Sequence, residues 1–133
     1  MRKVSKIGLI VVEKNKILLV KKKTLKKVIT PGGKPEGREN HEACLERELK
    51  EELEVSLDKS SLQFLGTFED VAEGEDDVLL TIELYQGKIK GNPKPSREIE
   101  GYLWFGAEAD REILSPIIKN KILPFLLENK IIA

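Results

Sequence analysis

The stretch GGKPEGRENHEACLERELKEELEV, residues 32–55, constrains this chain more than any other. It joins a turn that needs glycine's backbone freedom to a helix carrying more carboxylates than a surface helix favours. The loop VITPGGKPEG before it holds two prolines and three glycines, so it demands special backbone angles. Over residues 40–53 the pattern becomes helical. Asn40 suits an N-cap, and Leu45, Leu49 and Leu53 recur every four residues as an apolar stripe.

A helical projection shows why the acids matter. With Glu48 at zero and about 100° per residue, Glu52 falls near +40°, Glu51 near −60°, and the leucines between roughly +60° and +140°. The carboxylate face therefore abuts the buried stripe. A solvated acidic face explains part of it, because Glu46 with Lys50 and Arg47 with Glu51 are i,i+4 ion pairs. It does not explain Glu48 and Glu52, like charges one turn apart in the half of the helix where the macrodipole disfavours anions. A divalent cation that prefers hard oxygen ligands, Mg²⁺ or Mn²⁺, removes these costs. The glycine pair adds a weaker sign, since such a turn aims a carbonyl at a cation or amides at a phosphate.

The rest of the chain frames that element. Its 133 residues suit a single domain, 1–133, and its 40% hydrophobic and 35% charged content describes a globular chain without an apolar run long enough to span a bilayer. The 23 basic and 23 acidic residues cancel, which argues against stable nucleic-acid or membrane-surface binding. One cysteine, Cys44, forbids an intrachain disulfide and suits a reducing cytoplasm. It reads as a packing residue, and the amino-terminal apolar run as a strand rather than a signal peptide.

Residues 7–12 and 17–20 flank EKNK as a hairpin signal. KKKTLKK reads as a solvated edge, with phosphate steering as the alternative. SLQFLGTFEDV and DDVLLTIELYQGKI are strand candidates separated by the acidic loop AEGEDD, and YLWF, with Trp104, is a short core strand. In the tail, Ile118, Ile122, Phe125 and Leu126 have helical spacing that Pro124 kinks or restarts. His41 reads as an exposed histidine at the helix start. The order of elements argues an α/β or α+β sandwich, a mixed sheet covered by helices. The apolar last helix, with Ile117, Ile118, Ile122, Leu126 and Leu127, suggests a homodimer.

Gly33, Glu39, Arg47, Glu48, Leu49, Glu51, Glu52 and Val55 follow the spacing G-x5-E-x7-R-E-U-x-E-E-x-G-U, with U apolar, which resembles the Nudix box. Glu54 stands where that box has glycine, so the helix exit lacks glycine's easy left-handed conformation and is expected to run on or to end differently. Gly37 also lies one position earlier than usual. The strand order resembles the Nudix fold, an α/β/α sandwich with a mixed sheet flanked by helices.

The resemblance implies Mg²⁺-dependent hydrolysis of a nucleoside diphosphate linked to another group, with Mn²⁺ as a substitute. Glu48, Glu51 and Glu52 would be metal ligands, with a backbone carbonyl from Gly33 or Gly32, and Gly32 would also meet substrate. Glu39 and Arg47 would form a structural pair. Glu51, Glu52 and a further glutamate, Glu98 in preference to Glu100, would carry the catalysis. Phe68 and Tyr85 are the candidates for stacking on a base. The short, undecorated chain favours a nucleoside triphosphate, oxidised or non-standard ones included, cleaved to monophosphate and pyrophosphate. ADP-ribose or a nucleotide sugar is the alternative substrate. Readings from other classes are a catalytically weak nucleotide-binding regulatory module and a partner-docking acidic helix.

Overall fold

A computed structural model describes residues 1–133. Seven strands form two sheets: β1 (Arg2–Ile10), β2 (Val12–Glu13), β3 (Lys16–Lys22), β4 (Gly32–Gly33), β5 (Ser56–Ala72), β6 (Glu75–Lys90) and β7 (Ile99–Phe105). The larger sheet has the order β4-β1-β6-β5 and the smaller β2-β3-β7. β1 runs parallel to β6 and antiparallel to β4, so the larger sheet is mixed.

Two apolar cores explain the layering. Ile7, Leu9, Leu18 and Val20 meet Cys44, Leu45, Leu49 and Leu53 of helix α1 (His41–Leu53). On the opposite face Ile17, Leu19, Leu80, Ile82 and Leu84 meet Ile117, Ile118, Ile122 and Leu126 around helix α2 (Leu123–Glu128). β3 contributes alternate residues to the two cores, as strand geometry requires. Each buried Leu or Ile contributes roughly 1.5–3 kcal/mol, so the sheets are held from both sides. The apolar tail that suggested a homodimer is largely satisfied internally, since Ile117, Ile118, Ile122 and Leu126 are buried against the chain's own strands.

Local features correct several sequence expectations. The hairpin turn at Lys14 and Asn15 exists, with φ of 50° and 64°, but it joins β2 to β3. β1 belongs to the other sheet, so the two apolar runs do not pair with each other along their length. The acidic loop shrinks to Glu73 and Gly74, because Ala72 pairs with Glu75 and the strands β5 and β6 extend almost to the turn. The tail forms a π-helical turn over Ile118–Ile122 before α2. Pro124 has no N–H to continue an α-helical ladder there, which accounts for the interruption.

Asn40 caps α1 as expected, its Oδ1 accepting from Ala43 N at 2.8 Å. At the other end Glu54 stands in for the usual glycine. It adopts the left-handed conformation itself, at φ 55° and ψ 37°, and its N–H reaches the carbonyls of Leu49 and Lys50. Loop 91–98 then covers the helix end: Lys94 N donates to Leu53 O at 2.8 Å and Ser96 N to Glu52 O at 3.0 Å. Those bonds carry Arg97 and Glu98 to the carboxylate face.

Candidate active site

Arg47 organises the carboxylates. Its Nε and Nη2 clasp both oxygens of Glu39 at 2.7 and 3.0 Å, and Nη2 also donates to Lys34 O at 2.9 Å. Nη1 donates to Glu48 Oε1 at 2.6 Å and to Glu51 Oε2 at 3.2 Å. The guanidinium hydrogen bonds hold the Glu39 carboxyl below the usual range, while the carboxylates raise Arg47 further above its own. A bidentate clasp of this kind fixes geometry as well as charge. The helix, the glycine turn and the loop between them are therefore tied at one residue.

The two glycines are fixed by separate close approaches. Gly32 sits at φ 133°, opposite Gly8 across the β1–β4 ladder, and a Cβ there would lie 2.1 Å from Ile7 O. At Gly33 a Cβ would fall 2.6 Å from the carboxyl carbon of Glu48. One glycine seats the turn on β1, and the other leaves room for a carboxylate. The Gly33 carbonyl faces α1, where Cys44 Sγ contacts it at 3.6 Å. Burial pushes the Cys44 thiol up to about 11, consistent with an unreactive packing group.

Glu52 is the most confined acid, only 2% exposed. Its Oε1 accepts from Gly32 N at 3.0 Å, whereas Oε2 has no hydrogen-bond partner. Burial pushes its pKa up to about 8, against the opposing hydrogen bond from Gly32. Glu48 is also raised, first by burial, with Arg47 working against it. A buried carboxylate with one free oxygen is costly unless something completes it.

The donor set of Glu48, Glu51, Glu52 and the Gly33 carbonyl is hard oxygen throughout and fits a divalent cation of the Mg²⁺ class. No group of three or more acidic, histidine or cysteine side chains is arranged as a ready cage. The reason is visible in Arg47, which draws Glu48 and Glu51 toward itself and neutralises part of the charge that the sequence alone assigned to a cation.

Glu48, Glu51 and the glycine turn open into a cleft of about 530 Å³, which Glu52, bonded to Gly32 N, does not itself line. Glu48, Glu51, Gly32, Gly33 and Glu98 line its acidic end; Val4, Val78, Leu80 and Ile82 line an apolar floor. Glu98 lies beside Lys22 at 3.8 Å. Glu100 does not line the cleft and pairs with Lys21 at 2.7 Å. Phe68 packs edge-to-face on Phe125, and Tyr85 projects from the opposite face of β6 to Leu80 and Ile82, so neither aromatic lines the cleft. Tyr85 instead meets His41, whose Nδ1 lies 2.7 Å from the tyrosine oxygen and whose Nε2 lies 3.4 Å from Glu83. His41 is therefore engaged rather than merely exposed. Sequence reading passed over Lys6, Lys34 and Ser115, all lining the cleft. Lys6 carried a faint signal as the charged residue within the inward row Val4, Lys6, Gly8.

The model of the NUDIX domain matches residues 1–122. This chain belongs to the Nudix hydrolase family. Nudix enzymes are pyrophosphohydrolases that typically use a divalent metal and bind nucleotide-like substrates. None of the curated proteins matches the chain in sequence. Among solved structures it resembles a MutT protein from Methanosarcina mazei, with TM-score 0.77 and 19% identity, covering 97% of this chain and 96% of that one. A NUDIX hydrolase from Nitrosomonas europaea gives TM-score 0.77 at 17% identity, covering 97% and 91%. A pyrophosphohydrolase from Bacillus subtilis gives TM-score 0.69 at 25% identity, covering 96% and 84%. The two-sheet, two-helix architecture is thus the Nudix fold, and no helix is long and apolar enough to cross a membrane.

Proposed function

We propose that residues 1–133 act as a single Mg²⁺-dependent pyrophosphohydrolase domain that cleaves a nucleoside triphosphate, oxidised or non-standard forms included, to the monophosphate and pyrophosphate. The observation that carries this reading is the half-satisfied carboxylate of Glu52, bonded to the glycine turn that lines the acidic end of a cleft continuing over an apolar floor. A charged chain and a flat apolar base ask for those two environments side by side. The relative named as a pyrophosphohydrolase and the relatives named MutT support the same class. Cys44, reduced and buried, supports a cytoplasmic setting.

Glu48, Glu51 and Glu52 would hold Mg²⁺ with the Gly33 carbonyl, as Arg47 releases its hold on Glu48 and Glu51. Bound there, Mg²⁺ would neutralise anionic oxygens of the phosphate chain and acidify a water. The chain does the rest. Gly32 N keeps Glu52 aimed, Arg47 and Glu39 brace helix against turn, and the apolar floor takes the base. Glu98, on the loop bonded to the carbonyls of Glu52 and Leu53, takes the proton of the attacking water as it closes in line on phosphorus. The electron pair of the broken P–O bond leaves on the product half that departs, pyrophosphate or nucleoside monophosphate according to which phosphorus is attacked, and no covalent enzyme intermediate forms.

Glu52→Gln keeps size and the bond from Gly32 while removing one charge. It should lower kcat by roughly 10²- to 10⁴-fold with the fold intact by circular dichroism. Wild-type rates of pyrophosphate release from that variant would overturn the assignment. A screen that reads pyrophosphate against phosphate separates triphosphates from ADP-ribose and nucleotide sugars. Tight nucleotide binding without any turnover would point to a regulatory module instead.

A further inference from the structure

Around the acidic end of the cleft, almost every carboxylate already has a cation or a donor. Glu48 has Arg47 at 2.6 Å, Glu51 has Arg47 at 3.2 Å and Arg97 at 3.6 Å, and Glu98 has Lys22 at 3.8 Å. Glu39 is clasped by Arg47, and one oxygen of Glu52 by Gly32 N. The ammonium groups of Lys6 and Lys34, by contrast, have no acidic side chain within ion-pairing distance, although both residues line the same cleft. Lys6 is the less expected of the two. It projects from β1 between Val4 and Gly8, paired in register with Ile82, on the row that forms the apolar floor. Burial, aided by the nearby charges of Lys22 and Lys34 and opposed by the attraction of Glu52 and Glu48, holds its ammonium below the ordinary lysine value. A half-buried cation with no ion-pair or hydrogen-bond partner destabilises the unliganded fold and is retained at such a position when a ligand completes it.

We propose that Lys6 is a specificity-determining residue that binds the phosphate chain of the substrate, with Lys34 on the facing turn, and that it selects a chain of three phosphates over a single pyrophosphate bridge. The inference rests on the nucleotide pyrophosphohydrolase reading. Its chemistry is simple. A lysine serves phosphate as a mobile point charge, whereas Arg47 stays committed through Nε and Nη2 to Glu39 and the Lys34 carbonyl, the bonds that brace helix against turn. A cation held by Glu48, Glu51 and Glu52 would neutralise phosphate oxygens at the acidic end of the cleft. A longer chain extends anionic oxygens beyond it, toward Lys6 and Lys34.

The test compares Lys6→Met and Lys6→Arg with the wild type. Calorimetric titration with inorganic tripolyphosphate in Mg²⁺ should show binding about 10- to 100-fold weaker in Lys6→Met and largely restored in Lys6→Arg. KM for a nucleoside triphosphate should rise by a similar factor, while KM for a nucleotide sugar stays within about twofold. The Tm of the metal-free Lys6→Met protein should equal or exceed the wild type, because a half-buried charge is gone. Unchanged tripolyphosphate binding overturns the proposal, and so does a lowered Tm with unchanged binding, which would make Lys6 a counter-ion to Glu48 and Glu52. A wild-type protein that binds tripolyphosphate through Lys6 but turns over no triphosphate would keep this assignment and remove the proposed reaction.

Discussion

The two ends of the cleft are built in opposite ways. The acidic end comes from one contiguous run, the turn Gly32–Gly33 and helix α1, and its polar groups hold one another through Arg47. The apolar end is assembled from Val4 of β1, Val78, Leu80 and Ile82 of β6, and Ile117 before α2, residues far apart in the chain. Chemistry that tolerates little displacement is thus encoded locally. Recognition that tolerates variation depends on the long-range register of two strands. Substitutions at the acidic end should strike activity more than folding, and the ends can be told apart on that basis.

Gly33→Ala is the strongest way to break that contrast. Its added Cβ would meet the Glu48 carboxylate at 2.6 Å, and that carboxylate is the far end of a flexible side chain, so the fold can yield by turning Glu48 aside. The expected outcome is a loss of kcat/KM of roughly a hundredfold with Tm changed by only a few degrees. At Gly32, by comparison, the obstacle is the backbone oxygen of Ile7, which cannot turn aside. A Gly33→Ala protein that keeps full activity would show that Glu48 does not need its position beside the turn.

Next in size is the pH dependence of stability. In the metal-free protein the Glu52 carboxyl is raised to about 8 from an ordinary value of 4.5, so between those values the folded state binds a proton that the unfolded state releases. Stability is then fully present below about pH 4.5 and declines as pH rises toward 8, by an amount on the order of a few kcal/mol. Thermal melts in chelator should show Tm falling across that window, with a flatter profile for Glu52→Gln. Added Mg²⁺ should raise Tm more at pH 8 than at pH 6, because metal and proton compete for the same oxygen. A flat wild-type profile in chelator would mean that Glu52 is solvated despite its burial.

The same contrast decides what was legible in the sequence. The helix from Asn40 onward and the leucine stripe follow from local spacing, and the structure places them accordingly. The neutralising role of Arg47 was half visible. Its i,i+4 relation to Glu51 could be read, but the bond to Glu48 depends on rotamers that spacing does not fix. What escaped was non-local. Residues 7–12 and 17–20 looked like partners because each is apolar and a turn lies between them, yet β1 finds more pairing along β6. Lys6 could not be recognised before that pairing put it on the cleft floor. Tyr85 lies off the cleft for the same reason, since which face of a strand meets the cleft is a matter of register, whereas Phe68, in register with Ile82, packs on Phe125.

Glu54 yields the smallest effect and the sharpest separation of folding from function. It is exposed, its side chain makes no hydrogen bond or ion pair, and it lies outside the cleft, yet its backbone holds the left-handed cap that ends α1. For a residue with a Cβ that conformation costs roughly 1–2 kcal/mol, and a carboxylate at a helix C-terminus adds a few tenths more. Glycine removes both costs but gives back roughly 0.5–1 kcal/mol through the greater freedom of its unfolded chain. Glu54→Gly should therefore stabilise by about 1 kcal/mol, raising Tm by roughly 3–5 °C, with kcat/KM unchanged. A lower Tm would show that the cap is held by the bonds from Lys94 and Ser96 to the carbonyls of Leu53 and Glu52, with no strain to relieve. A changed kcat/KM with a higher Tm would show instead that the angle at which α1 ends governs where loop 91–98 delivers Glu98.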